Sequence, residues 1–380
     1  MLAPCPRPCR RARAEFLCWA RWTWRDNMTV RVTDIIEHFP KLLRLLRGDV
    51  QMQLSRPRPP SAPEAGCILF LNERRLIEGA VGSSASVLVV ADADADVEVL
   101  ATASQTLLQS PNPELALALV AHAFFPVTAY KKGFDGHRIH SSAVISESAA
   151  ISEDAIVGPN AVIGANARIG KACVVGANTT VEAEVVIGEG SHIHANVFIA
   201  HGTIIGKHCE IHPMTSLGTD GFGYAHDEQF NHYRHVHYGR LVIEDDVHVG
   251  ACVTIDRGHF ADSVIGRGTK IDNQCHLAHN VRVGRNCLMA GDFMTAGTVT
   301  IGDNNVFGGS SRVSDHVTVG DNMQFAGLAA IAKNINEPGK AFGGRPLQPV
   351  SDYLKSNASI AQLPTMRKNI ARIMRKLGMS

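Results

Sequence analysis

Residues 139–217 read IHSSAVISESAAISEDAIVGPNAVIGANARIGKACVVGANTTVEAEVVIGEGSHIHANVFIAHGTIIGKHCEIHPMTSL. Stepping by six from Ile139 gives Ile145, Ile151, Val157, Ile163, Ile169, Val175, Val181, Ile187, Ile193, Ile199, Ile205, Ile211 and Leu217, aliphatic every time. Glycine often follows directly, as at Gly158, Gly164, Gly170, Gly176, Gly188 and Gly206. A period of six matches neither the 3.6 of an α-helix nor the 2 of a lone strand. It suits a triangular coil in which each of three short sides turns one aliphatic residue inward, with small residues and glycine at the corners. Successive coils then stack about 4.8 Å apart and pair their backbones. A sandwich would show alternation broken by irregular turns instead. The expected fold is mainly β: a left-handed parallel β-helix of hexapeptide repeats.

A second run begins at Ile243, Val249 and Ile255 and resumes as Ile265, Ile271, Leu277, Val283, Met289, Thr295, Ile301, Phe307, Val313, Val319, Phe325 and Ile331. Two segments break the phase. Residues 218–242 contain GTDGFGYAHDEQFNHYRHVHYGR, and DRGHFADS lies between Ile255 and Ile265. Loops thrown from a rigid solenoid are where function concentrates.

The flanks read differently. Residues 1–27 carry six arginines against Glu15 and Asp26. They are read as a transit peptide or the product of an early start codon and are set aside from the fold. Residues 28–136 suggest a small α/β domain: a helix near 31–47, strands at 67–71 and 86–91, a helix at 114–124 and a loop at 55–66. The repeat domain is expected over 137–335 and a helical extension over 336–380. Its residues 349–379 are basic, with Lys355, Arg367, Lys368, Arg372, Arg375 and Lys376 against Asp352, and Pro364 is expected to split the helix. Such a tail is either a solvated face or a docking face for an acidic partner.

Bulk composition excludes several classes. The 37 basic and 36 acidic residues balance, so nothing global points to nucleic acid or a membrane surface. No apolar run is long enough to span a bilayer. The nine cysteines show no metal-type pairing and read as reduced thiols, which suits the cytoplasm.

The stretch IDNQCHLAHNVRVG, 271–284, carries the most specific local signal. His279 lies two positions after the inward Leu277 and projects away from the core. Residues 18 apart stack, so Gly297 lies over His279, and His316, 37 further on than His279, is expected nearly in the same row. His279 could accept a proton from an attacking amine. The backbone N–H of Gly297 could hold an oxyanion. His316 could orient substrate or bind the developing charge. A single prism has flat faces, so a cleft needs a second copy beside it. A cyclic homotrimer is expected.

IDNQCHLAHN, the preceding TIDRG (254–258), DGFGYA (220–225), GRPLQP (344–349) and PNPELALALVAHAF (111–124) resemble the UDP-3-O-acylglucosamine N-acyltransferase family of lipid A biosynthesis. The resemblance implies transfer of a 3-hydroxyacyl chain from acyl carrier protein to the 2-amine of a UDP-linked glucosamine. The carrier's phosphopantetheine arm would bring the acyl group, with no bound cofactor and no metal. It implies that His279 is the base and that Asn273, Gly297 and His316 support it. Asp272, Asn280, Phe222 and Tyr224 of the same motifs are expected at the substrate. It also implies that residues 28–136 resemble a nucleotide-sugar-binding domain and that the basic C-terminal region meets the carrier protein.

One stretch departs from the family pattern. Where the family carries Phe, Asn and Lys-Tyr for uracil, this chain has Phe70-Leu71-Asn72-Glu73-Arg74-Arg75-Leu76, and Leu76 cannot stack on a base as a tyrosine ring does. The alternatives are therefore a related solenoid acyltransferase with another amino-sugar acceptor, one using acetyl-CoA or acylating a hydroxyl, or a non-catalytic paralogue. A zinc site as in solenoidal carbonic anhydrases would have to use His226, His232, His235 and His237, which lie together in one insertion rather than on facing prisms.

Overall fold

The computed structural model describes residues 30–92, 104–125, 134, 136–343 and 350–378. The chain forms two compact units, Met1–Ala129 and Tyr130–Ser380.

The first unit is built on a five-stranded sheet in the order Arg44–Arg47, Thr106–Ser110, Val87–Ala91, Cys67–Leu71, Arg56–Pro57. The first pair is antiparallel and the rest are parallel. CILFL and VLVVA are apolar without alternation because both faces are covered. Val32, Ile35, Ala116 and Val120 pack on one face, and Ile77 and Ala80 on the other. Asn112 caps helix Pro113–Phe124 by accepting from the Leu115 N–H at 3.0 Å.

Sequence reading departs from the structure in three places here. The expected helix over 31–47 ends at His38. Pro40 cannot continue a helix, and Arg44–Arg47 pairs instead with Thr106–Ser110 at the sheet edge. The expected loop 55–66 contains the short strand Arg56–Pro57. Helix Arg74–Ala80 was not foreseen.

The second unit is a parallel β-solenoid whose coils form three sheets of ten, ten and nine strands. Val175 pairs with Ile193 and Ile193 with Ile211, three steps of the period per coil. The two insertions leave this register intact, since Ile205 pairs with Ile243 and Ile243 with Ile265. The inward positions form one continuous core. Its final coils change character: Phe293, Phe307, Phe325 and Phe342 stack with successive centroids 4.7, 4.9 and 5.2 Å apart. At the opposite end Ile139 is 45% exposed and Val144 63%. There Phe134 folds back, pairing with His137.

Corners explain two sequence features. One corner residue holds φ near +60°, and asparagine fills it at 160, 166, 178, 196, 286, 304 and 322, because its short polar side chain tolerates the left-handed region. The next residue points in and donates to a carbonyl one coil on, as Thr179 does to His194 O at 2.8 Å and Ser191 to Gly206 O at 2.8 Å. Cys173, Cys209, Cys275 and Cys287 occupy this same position, where burial pushes each thiol up to about 11. Their scatter is the period seen from a corner.

The solenoid runs past the expected boundary at 335, since Ala341–Phe342 adds a strand beside Gln324–Phe325. The C-terminal helix Val350–Lys376 continues through Pro364 rather than splitting there. Proline removes one backbone donor, and the flanking turns keep theirs. No helix among the described residues is long and apolar enough to cross a membrane.

Candidate active site

Strand His276–Leu277 lies between Thr254–Asp256 and Met294–Thr295. This sets His279 at the following corner, half-buried. Gly297 stacks over it, and the next residue, Thr298, donates its N–H to the His279 carbonyl at 2.9 Å. A Cβ at Gly297 would stand 2.7 Å from both Cε1 and Nε2 of the ring. On the other side the DGFG segment packs down, and a Cβ at Gly221 would stand 2.6 Å from the His279 Cβ. The imidazole is held between two glycines, and neither position has room for a methyl group.

Hydrogen bonding selects the tautomer. His279 Nδ1 is 3.1 Å from Asn280 Oδ1. That oxygen also accepts from the His259 N–H at 3.0 Å, while Asn280 Nδ2 donates to Ala261 O at 3.2 Å. Asn280 Oδ1 is thus an acceptor, so Nδ1 carries the proton and Nε2, beside Gly297, keeps its lone pair. The Gly297 N–H donates to no group among the described residues. His237, 5% exposed, sets its ring 5.6 Å from that of His279 and nearly edge-on. Burial lowers the His237 pKa, which favours a neutral ring beside His279.

A recess of about 530 Å³ opens at this corner. Its lining includes Asp256, His276, His279, Gly297, Arg312 and Asp315, with Phe222, 83% exposed, at its mouth. Asp256 is 8% exposed, and burial pushes its carboxyl up to about 6 against the opposing pull of His276 and His279. Thr254 Oγ1 fixes His276 Nδ1 at 2.7 Å. The neighbouring Arg257 is buried and ties both insertions to the solenoid, donating to Gly239 O at 2.7 Å and His201 O at 3.2 Å.

The structure does not gather every expected residue. His316 lies in the row of Asn280 and Thr298, at the left-handed corner position. Thirty-seven is one more than two coils, so the row through His279 and Gly297 continues to Asp315. The His316 N–H donates to Gly297 O at 3.1 Å, but its side chain is 71% exposed and turns to Asp315 at 3.4 Å. Asp272 and Asn273 follow a different sheet and sit at another edge. There they cap backbone: Asn273 Oδ1 accepts from Ala251 N at 2.7 Å, and Asp272 accepts from Gly291 N at 2.9 Å. Tyr224 belongs to the hairpin Tyr224–His226/His232–Arg234 and leans on Phe222, centroids 5.2 Å apart. The GRPLQP motif and residues 1–27 lie outside the described residues. In the first unit Leu76 is partly buried against the core cluster that holds Ile77.

Asp256, His276, His237 and Gly221 escaped the sequence reading. Asp256 had a signal, since it directly follows the inward Ile255 where the phase breaks. His237 had none, because an insertion has no period to place it. The insertion histidines disperse: His226 stacks on Phe230, His235 on His259, and His237 faces His279.

Comparison with known proteins follows from this geometry. A family model described as the GMPPB C-terminal domain matches residues 138–222, the uninterrupted coils. A UDP-3-O-acylglucosamine N-acyltransferase of Methylococcus capsulatus is 35% identical over 337 residues, covering 88% of this chain and 94% of that protein. The protein of that name from Sinorhizobium fredii is 52% identical over 164 residues, 43% of this chain and 46% of its own length. Its namesake from Campylobacter jejuni strain RM1221 is 45% identical over 145 residues, 38% and 45% of the two chains. The chain thus spans about half the length of these last two relatives. Among solved structures, LpxA from Acinetobacter baumannii is 25% identical over 55% of this chain and 72% of that one, with a TM-score of 0.43. With a relative matched along nearly its whole length, the chain belongs to the UDP-3-O-acylglucosamine N-acyltransferase family.

Proposed function

We propose that this protein moves a 3-hydroxyacyl chain from the thioester of acyl carrier protein to the 2-amine of UDP-3-O-acylglucosamine. The observation that carries this reading is the imidazole of His279, with its Nε2 lone pair beside the N–H of Gly297 on the wall of a recess. The amine nitrogen attacks the thioester carbonyl carbon while Nε2 takes the amine proton. The carbonyl oxygen becomes an oxyanion facing the Gly297 N–H. Collapse breaks the carbon–sulfur bond, and the leaving thiolate takes the proton from His279. Asn280 keeps the ring in the required tautomer throughout.

Asp256 faces this imidazole across the recess and stabilises the transient imidazolium. Arg312 supplies a cation for the acceptor's diphosphate, and Phe222 an apolar surface at the mouth. The recess is open on one side, which fits completion by a second copy in a cyclic homotrimer. In that assembly the edge carrying Asp272 and Asn273 meets the edge carrying His279 of its neighbour. The basic residues of helix Val350–Lys376 suit the acidic surface of a carrier protein. Leu76 is an aliphatic side chain partly buried against the first unit's core, and this favours an acceptor without tyrosine stacking as the second reading.

The test is product mass spectrometry with purified protein, 3-hydroxyacyl carrier protein or coenzyme A thioesters, and a mixture of UDP-amino sugars. His279→Ala is expected to lower turnover by about 10³-fold while the thermal unfolding midpoint holds. A wild type inactive toward every acceptor, or an active His279→Ala, overturns the assignment.

A further inference from the structure

Residues that point outward along a coil stack in rows, and one row is unusual in composition. His192, Glu210, His248 and Lys270 follow one another on consecutive strands of a single sheet. His194 lies two residues after His192 and shares its side of the chain. The rings of His192 and His194 stack with centroids 4.1 Å apart, and those of His194 and His212 at 4.7 Å. Three imidazoles piled so closely would repel one another if protonated. Glu210 enters from the next coil, with Oε1 3.1 Å from His194 Nε2 and 3.6 Å from His212 Nε2.

We propose that His192, His194 and Glu210 form a binding site for a divalent transition-metal ion of the zinc class. One ligand atom from each lies within 4.8 Å of the other two. Zinc held by nitrogen and oxygen at about 2.0–2.1 Å places neighbouring tetrahedral ligands roughly 3.3 Å apart. The 3.1 Å contact of Glu210 with His194 is close to that edge length, and the stacked rings of His192 and His194 tilt toward each other when both ligate one centre. Two imidazoles and one carboxylate suit zinc rather than magnesium or calcium, which take oxygen ligands. A fourth position remains, and His212 or water fits it.

Lys270 turns its ammonium to the Asp246 carbonyl at 2.5 Å, away from the three ligands. Side-chain exposures of 17% for His194 and 39% for Glu210 leave an approach from solvent.

The test uses the full chain, stripped with chelator and titrated with zinc chloride by calorimetry, then loaded with cobalt(II). One zinc ion per chain in this site and a tetrahedral cobalt spectrum are expected. Glu210→Gln should weaken zinc binding by about tenfold and His194→Ala by about a hundredfold, with loss of the spectrum. His232→Ala, on the exposed hairpin, should change neither. Zinc should raise the unfolding midpoint of the wild type, and raise that of Glu210→Gln by less at the same zinc concentration. Absence of zinc binding by the wild type, or undiminished binding by both variants, overturns the proposal. If Glu210→Gln fails to fold, the cobalt spectrum of His194→Ala decides.

Discussion

The coils of residues 150–217 and those of residues 241–331 obey one period, and the recess beside His279 belongs to the second set. In the first set outward side chains meet along rows and, at His194 and Glu210, across neighbouring rows. In the second set two insertions fold back against a corner, pressing Gly221 on His279 from one side and anchoring through Arg257 on the other. The period decides which residues align. The interruptions decide where an aligned row becomes a concave site.

The two sets also differ inside, and this difference is open to the strongest test. The later coils rest on stacked rings centred on Phe307, whereas the earlier ones rest on single aliphatic residues such as Ile205. Phe307→Ala should destabilise by about 3–5 kcal/mol, since rigid neighbours above and below cannot close the void. Because a solenoid is held coil by coil, unfolding should split into two phases, the coils after Phe307 melting first. Ile205→Ala should cost about 2–5 kcal/mol and keep a single transition. Calorimetric scans of both variants read the outcome, and equal, single-phase losses would erase the contrast.

Next in size is the packing of the insertion on His279. Gly221→Ala should reduce kcat/KM about 10²-fold, because the added methyl displaces His279 or the DGFG segment by roughly an ångström. A stability loss without an activity loss would show that the insertion merely covers the corner.

The smallest effect concerns Asp256, where the insertions bury a carboxyl. Its folded pKa, about 6, stands above its ordinary value of 3.8. The folded state therefore holds this proton more tightly, and the associated stability is complete below pH 3.8 and is lost as pH rises through 6. Relative to Asp256→Asn, the wild type should lose about 2 kcal/mol between pH 4 and pH 7. Urea unfolding of both proteins at the two pH values measures the difference, and parallel curves would place the carboxyl in contact with water.

Sequence alone disclosed the solenoid because the inward position recurs every sixth residue and tolerates only apolar side chains. It disclosed His279 and Gly297 for the same reason, since stacking is arithmetic. His316, expected nearly in that row at 37 residues on, sits one position past it, and at a corner one residue turns a side chain from the recess to solvent. Asp272 and Asn273 obey the period too, but on another edge, and no count of residues reveals that both side chains are occupied capping backbone. His237 and Gly221 come from an insertion whose path is set by tertiary contacts. In the first unit RLLR carries strand and helix potential equally, and only its pairing with Thr106–Ser110 settles the choice.

A stack assembled from interchangeable steps has no internal reason to stop. At the first coil Ile139 and Val144 are exposed, aliphatic surface of the kind that a further step, including one from another molecule, would cover. Phe134, folded back through its pairing with His137, is what stands in the way there. The length of the prism is thereby a property of its terminators: the same repeat without them would be a seed for filaments.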